Sequence, residues 1–196
     1  MKKTKTIDTQ IVDRAIRYAT EHHAGVPRKG TSLPYIVHPL EAMVIVSTIT
    51  NDQELMAAAA LHDVVEDTGV TIDDIRREFG SRVAQLVDDE TDREVPGVSH
   101  VDSWQQRKQA AVDRLAAASR DVQIVALGDK LSNIRGMARN YRELGDQLWQ
   151  RFNEKNPACH ARYYRQLAAS LAPLSDTDAY REFVRLVDQV FPPDGQ

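Results

Sequence analysis

The sequence has one cysteine, no long apolar run and no excess of positive charge, and each shortage excludes a class of protein. Cys159 has no partner for an internal disulfide, and a thiolate metal cage needs several cysteines, so any metal must bind to histidine and carboxylate side chains. No stretch approaches the roughly 18 apolar residues of a membrane span, and the basic start MKKTKTIDTQ lacks the apolar stretch of a secretory signal. We therefore expect a cytoplasmic protein without a membrane partner.

The balance of charges argues against a nucleic-acid partner. The 196 residues include 25 Lys and Arg against 29 Asp and Glu, a formal net charge of −4, whereas nucleic-acid-binding domains normally carry a strongly basic face. The apolar share of 42% and the charged share of 28% are typical of an ordinary globular domain, which excludes disorder and fibres. At this length we predict one domain over residues 1–196.

Apolar residues recur at three- and four-residue steps through most of the chain, and no strand-like alternation of useful length occurs. Loops are predicted at 24–36, which holds two prolines and two glycines, and at 93–101. Pro39 suits the first position of a helix. The pattern predicts an all-α fold, with helices over 7–23, 39–49, 52–65, 71–80, 81–90, 103–118, 121–138, 141–153, 158–171 and 176–190.

The densest functional signal is the segment Leu61-His62-Asp63-Val64-Val65-Glu66-Asp67-Thr68. Neighbouring His62 and Asp63 near a helix end can both face one metal ion. Glu66 and Asp67 follow Asp63 by three and four residues, so a continuing helical turn places them on the same side, where they could contact water beside the metal. A solvated acidic helix end with an ordinary histidine is the alternative interpretation.

Two further segments favour the metal interpretation. Asp129 and Asn133 are four residues apart, on one face of a helix that is otherwise apolar enough to be core. A buried carboxylate needs a cation or several donors to offset its desolvation. His38, held at a helix start by Pro39, is the fourth candidate ligand.

The order His38, His62-Asp63, Asp129 resembles the H…HD…D ligand order of HD-domain metal-dependent phosphohydrolases. The surrounding segments are more specific: Arg28-Lys29-Gly30-Thr31, Pro34-Tyr35-Ile36-Val37-His38-Pro39, the 61–68 segment and Gly128-Asp129-Lys130-Leu131-Ser132-Asn133. They resemble the hydrolase domain of RelA/SpoT proteins and the small alarmone hydrolases over about residues 8–140. The resemblance implies a helical bundle with the metal site between helices, and 141–196 would form C-terminal helices of the same domain.

The resemblance also implies roles for individual residues. The metal ligands would be His38, His62, Asp63 and Asp129, and the metal Mn²⁺, with Fe²⁺ and Zn²⁺ left open. Glu66 and Asp67 would orient or deprotonate the attacking water. Substrate contacts would come from Arg28, Lys29, Lys108 and Asn133. For Arg107 and Lys108, a solvent-facing helix charge is an equally good interpretation.

The implied activity is hydrolysis of the 3′-pyrophosphate of (p)ppGpp, a phosphorylated nucleotide, giving GDP or GTP and pyrophosphate. Two alternatives stay open: a phosphohydrolase of another nucleotide such as (p)ppApp or NADPH, and a catalytically silent alarmone-binding module. The sequence does not decide the oligomeric state, and a homodimer is one option. Tyr163 and Tyr164 either border the nucleotide or pack in the core. The remaining histidines fit no ligand spacing and are predicted to lie on the surface or in loops: His22, His23, His100 and His160.

Overall fold

The structure is a computed structural model that describes residues 9–92, 95–99 and 102–193. Within these residues the only β-type pairing is an isolated bridge between Pro27 and Pro34, and no helix is both long and apolar enough to cross a membrane. The predicted all-α class is confirmed. The helices are α1 (Gln10–His22), α2 (Val37–Ser47), α3 (Gln53–Leu61), α4 (Val64–Asp67), α5 (Ile72–Phe79), α6 (Ser81–Glu90), α7 (Trp104–Ala116), α8 (Arg120–Leu144), α9 (Pro157–Ser170) and α10 (Asp178–Val190), with 3₁₀ turns at Gly145–Arg151 and Ala172–Leu174.

Several predicted helix ends differ from the observed ones for local reasons. Pro39 is the third residue of α2, which begins at Val37. The predicted helix over 52–65 ends at Leu61, and His62 and Asp63 form the junction to the short helix α4. Residues 7 and 8 of the first predicted helix, parts of the predicted 93–101 loop and His100 lie outside the described residues.

The predicted pair of helices over 121–138 and 141–153 is wrong, because α8 runs without interruption from Arg120 to Leu144. Residues 139–144 contain no proline or glycine that would stop it. Gly145 ends the helix with a φ of +54°, a conformation that favours glycine, and the chain continues as a 3₁₀ turn.

Helices α2 and α8 pack closely against each other at the centre of the molecule. A Cβ atom on Gly128 would lie 2.8 Å from the carbonyl oxygen of Ala42 and 2.9 Å from Cγ2 of Val46. Only glycine leaves room for this approach, so the backbone of α2 reaches α8 one residue before Asp129. The α3 helix packs beside them through a buried alanine run, Ala57–Ala60. The residues predicted to bind metal lie where these three helices meet.

Candidate metal and nucleotide site

The four predicted ligands come from α2, from the α3–α4 junction and from α8, and they surround one point. The His38 Nε2 atom lies 3.4 Å from Asp63 Oδ2 and 3.1 Å from Asp129 Oδ1. The His62 Nε2 atom lies 3.0 Å and 3.5 Å from the same two oxygens. Ligand atoms of His38, His62 and Asp129 all lie within 4.8 Å of one another.

The state of His62 shows that a cation suits this point. Its Nδ1 atom lies 2.8 Å from the carbonyl oxygen of Ala59, which only accepts, so Nδ1 carries a hydrogen and, in the neutral ring, the lone pair is on Nε2. That Nε2 atom is buried, and although it lies beside Asp63 and Asp129, it forms no hydrogen bond with any of the residues that the structure describes. An unsatisfied buried polar atom costs about 1–3 kcal/mol, which a bound cation would remove. Two imidazoles and two carboxylates are a donor set that divalent transition metals accept.

The electrostatics of the site keep its carboxylates ionised. Although burial opposes ionisation, the adjacent imidazoles hold the pKa of Asp63 well below its usual range. Burial also opposes ionisation of Asp129, but Lys130 and the two imidazoles hold its pKa well below the usual range. Ionised carboxylates are the form that binds metal.

Tyr35 supports the site in a way that sequence reasoning did not predict, although the residue lies in the 34–39 segment. Its hydroxyl donates a hydrogen bond of 2.6 Å to Asp63 Oδ2. Burial and then the Asp63 charge raise the pKa of Tyr35 far above its ordinary value, so the phenol stays protonated and keeps donating. The bond orients one predicted ligand from the loop that precedes α2.

The two predicted acidic residues lie in different surroundings. Glu66 reaches the solvent of the cavity, yet desolvation by the surrounding protein, followed by the charges of Asp63 and Asp92, raises its pKa to about 7. Burial and Asp63 also raise the pKa of Asp67, whose other neighbours include Tyr35. A carboxyl with a pKa near the working pH is suited to exchange a proton.

The basic residues predicted to bind substrate are held by hydrogen bonds. Arg28 Nη2 donates to Asn133 Oδ1 at 2.9 Å, and Asn133 Nδ2 donates in turn to Asp129 Oδ1 at 2.5 Å. Lys29 Nζ donates to Asn153 Oδ1 at 3.1 Å. Arg28 is therefore oriented through Asn133 by a predicted metal ligand.

Lys108 and its neighbour Arg107 share one acceptor. Both side chains donate to Asp92 Oδ2 at 2.7 Å. Arg107 is buried, so the interpretation of it as a solvent-facing charge is wrong. Lys108 faces the cavity, and its ammonium group lies 5.7 Å from the ring centre of Tyr163.

One cavity of about 370 Å³ contains nearly the whole predicted site. Nine of the ten predicted residues line it, and Asp67 is the exception. Its formal charges balance, with five basic side chains against five acidic ones. A bound divalent cation would therefore make the cavity positive, which suits an anionic ligand such as a polyphosphate. The basic side chains are Arg28, Lys29, Lys108, Lys130 and Arg139, and the acidic ones are Asp63, Glu66, Glu90, Asp92 and Asp129.

One part of the cavity lining is an aromatic wall, which comes mostly from the C-terminal third of the chain. Trp104, Phe152, Tyr163 and Tyr164 line it. Both tyrosines are also buried, so they border the cavity and pack in the core at once. Sequence reasoning missed the rest of this wall, because such aromatic residues carry no spacing that distinguishes a cavity from a core.

Other missed residues do follow a spacing. Asn140 lies seven residues after Asn133 and therefore on the same face of α8, and it lines the cavity together with Arg139 and Gly136. Among the histidines, His22 is exposed as predicted. The prediction of surface or loop positions is wrong for His160, which is buried on α9 with its Nε2 atom 2.8 Å from the carbonyl oxygen of Glu154. His23 lies in the turn after α1, but it is buried and not on the surface.

A helical bundle with two imidazoles and two carboxylates at one buried point is the architecture of a metal-binding helical domain. The HD domain family matches residues 15–157, and the chain belongs to this family, which implies a divalent metal at this site. The guanosine-3′,5′-bis(diphosphate) 3′-pyrophosphohydrolase of Xenopus tropicalis is 34% identical over 137 residues, which are 67% of this chain and 72% of that protein.

Longer relatives match over one part of their length. The guanosine-3′,5′-bis(diphosphate) 3′-pyrophosphohydrolase of Aquifex aeolicus is 33% identical over 129 residues, 63% of this chain but only 17% of that protein. A solved structure described as a metazoan ortholog of SpoT that hydrolyses ppGpp has a TM-score of 0.74 at 22% identity, and the match covers 94% of this chain and 97% of that one. The match shows that the two chains share a fold.

Proposed function

We propose that the protein hydrolyses the 3′-pyrophosphate of (p)ppGpp-type nucleotides, using Mn²⁺ at the site formed by His38, His62, Asp63 and Asp129. One observation carries the proposal: the ligand set, a carboxyl of raised pKa and five basic side chains line one cavity. The activity for which the Xenopus tropicalis relative is named supports the same reaction, since this chain aligns over most of that protein's length.

The reaction consumes one water molecule, breaks the bond between phosphorus and the 3′-oxygen, and releases pyrophosphate and a nucleotide with a free 3′-hydroxyl group. A divalent cation bound by the four ligands would polarise the attacked phosphoryl group and lower the pKa of a bound water. Glu66, with a pKa raised to about 7, accepts the proton of the attacking water. Asp67 does not line the cavity, so its role in orienting that water stays a prediction of the sequence.

The basic side chains bind and orient the substrate. Arg28 presents a planar guanidinium group that can stack on a purine or bind phosphate at two points, while Lys29 and Lys108 act as point charges for phosphate. Asn133, already bonded to Arg28 and Asp129, is placed to contact the ribose or base. The aromatic wall of Trp104, Phe152 and Tyr163 stacks on a base without selecting one base over another.

The C-terminal helices belong to the same functional unit in this proposal, so residues 1–196 form one HD hydrolase domain. Tyr163 and Tyr164 on α9 line the cavity that holds the ligands from α2 and α8. Lys29, which also lines this cavity, donates to Asn153. A cytoplasmic location and a homodimer stay predictions of the sequence alone.

The test is pyrophosphate release from ppGpp by protein stripped of metal and resupplied with Mn²⁺, with pppApp and NADPH assayed in parallel. We expect release from ppGpp that depends on Mn²⁺. The Asp63→Asn variant keeps the shape of the side chain but loses its charge, so we expect it to lose both Mn²⁺ binding and turnover, whereas Asp188→Asn on the exposed side of α10 retains both. Turnover of NADPH or pppApp alone would change the proposed substrate. Full activity of Asp63→Asn would contradict the proposed metal site.

A further inference from the structure

A continuous chain of hydrogen bonds leads from the metal site to the surface through three helices. His38 Nδ1 lies 2.8 Å from Ser132 Oγ, and Ser132 Oγ donates to Glu41 Oε2 at 2.8 Å. Arg135 Nη1 donates to Glu41 Oε1 at 3.2 Å and binds Glu182 through two further hydrogen bonds of 2.9 Å and 2.7 Å. The chain thus joins α2, α8 and α10.

The chemistry of the groups fixes the direction of these bonds. An ionised carboxylate only accepts, so the single hydroxyl hydrogen of Ser132 points to Glu41. The serine oxygen is then left to accept, and His38 Nδ1 must carry the ring hydrogen. It follows that His38 Nε2 is the nitrogen with the free lone pair. That nitrogen is the one that lies 3.1 Å from Asp129 and faces the metal site.

We propose that Ser132 and Glu41 are positioning residues that fix the tautomer and ring orientation of His38, so that its Nε2 atom is always ready to bind the metal. The inference rests on the proposed metal site and adds to it residues that touch neither metal nor substrate. Ser132 is 1% exposed and His38 3%, so water does not compete for the bond between them.

The two histidine ligands are held in the same tautomer by different means. His62 donates to the backbone carbonyl of Ala59, which no side-chain substitution removes. His38 depends on the side chains of Ser132 and Glu41. Only His38 can therefore be released by mutation, which makes the inference testable at one ligand. Loss of such a partner typically weakens metal affinity 10- to 100-fold.

The experiment measures the dissociation constant of Mn²⁺, without any nucleotide, from the signal of free Mn²⁺ in electron paramagnetic resonance. We expect Ser132→Ala to weaken binding roughly 10- to 100-fold. Glu41→Gln should weaken it less, because the amide can accept from Ser132 but can also donate and reverse the chain. Ser170→Ala is the matched control, since its hydroxyl contacts the carbonyl of Val112 on α7. Glu182→Gln, at the far end of the chain, should leave binding unchanged.

A second readout reports the tautomer directly and does not depend on any variant folding. In metal-free wild-type protein, at a pH where the imidazoles are neutral, nitrogen-15 spectra should show His38 protonated at Nδ1. A signal for Nε2–H at His38 overturns the inference, as does unchanged Mn²⁺ affinity in both Ser132→Ala and Glu41→Gln. If wild-type protein binds no Mn²⁺ while His38 is still protonated at Nδ1, the proposed function fails and the positioning chain stands.

Discussion

The surroundings of Glu66 raise the pKa of its carboxyl group into the range where it can exchange a proton near neutral pH. It lies on the cavity wall, and desolvation together with Asp63 and Asp92 raises its pKa to about 7. The backbone N–H of Asp92 donates to its Oε2 at 3.3 Å, so one oxygen is held in place. This arrangement suits a residue that takes a proton and is not itself a metal ligand.

We predict that Glu66→Gln lowers kcat by about 10²- to 10⁴-fold, the usual contribution of a general base, because the amide cannot take a proton. The Mn²⁺ dissociation constant should stay within a few-fold of the wild-type value. Steady-state kinetics with ppGpp and Mn²⁺ titrations on the same preparation measure both. Glu21→Gln, on the exposed side of α1, is the control. A wild-type kcat in Glu66→Gln would remove this residue from the mechanism.

Histidines illustrate how far single residues can be predicted from the sequence. The sequence identifies His62 and His38 as candidate metal ligands because each lies in a specific motif, whereas His23 lies in no such motif. In the structure His23 is buried, neither ring nitrogen forms a hydrogen bond within residues 9–92, 95–99 and 102–193, and its ring lies 4.9 Å from that of Tyr35. Burial of a polar residue depends on contacts that form between distant segments, and local spacing does not encode them.

At the scale of helices, the site depends on how closely α2 and α8 approach. His38 lies on α2 and Asp129 on α8, and Gly128 is the point where the two backbones meet. A glycine inside a helix costs about 1 kcal/mol relative to alanine, so its presence in the middle of α8 needs a reason. The reason is steric, because a Cβ atom at this position would lie 2.8 Å from the Ala42 carbonyl oxygen.

We predict that Gly128→Ala destabilises the protein by about 1–3 kcal/mol, the usual cost of overpacking, and also weakens Mn²⁺ binding because α8 must move away from α2. Gly136→Ala lies on the same helix, where a Cβ atom would be 3.8 Å from the nearest atom of Arg28, an ordinary contact. That variant should gain stability through helix propensity. Denaturant unfolding of both metal-free variants measures the difference, and equal stabilities would contradict the argument.

The sequence predicts which segments are helical better than it predicts where each helix ends. Capping signals such as Thr71 and Asp74, which form a reciprocal capping box at the start of α5, are local and can be recognised in the sequence. The break between α3 and α4 has no glycine or proline to mark it. His62 and Asp63 end the helix there, and this break lets two successive side chains face one point. Its cause is tertiary, so the sequence pattern continues the helix through it.

At the scale of the whole molecule, the aromatic wall of the cavity is the feature that the sequence patterns did not predict. Trp104 on α7 and Tyr163 on α9 meet across a distance of 6.1 Å between ring centres, although they are far apart in the chain. Each is also a reasonable core residue by its own context. The metal ligands escape this ambiguity because charged residues in an apolar helix demand an explanation.

The metal site also links the stability of the whole molecule to pH. In the metal-free protein, burial opposes a charge on His62, but Asp63 and Asp129 raise its pKa well above the ordinary value. A raised pKa stabilises the folded state fully below the unfolded-state value of about 6.5, and this stabilisation is lost as pH rises through the higher folded-state pKa. Metal binding needs the neutral ring, so Mn²⁺ affinity rises over the same range.

We therefore predict that the melting temperature of Mn²⁺-loaded protein exceeds that of chelator-treated protein by a margin that widens as pH rises above about 6.5. The margin is set by the affinity for Mn²⁺, which rises as the ring of His62 loses its proton. At Mn²⁺ 100-fold above its dissociation constant the stabilisation is about 2.7 kcal/mol. Thermal unfolding across this pH range, with and without chelator, measures the margin. Asp63→Asn should show no margin at any pH, and a wild-type margin that is constant or shrinks with pH would contradict the linkage.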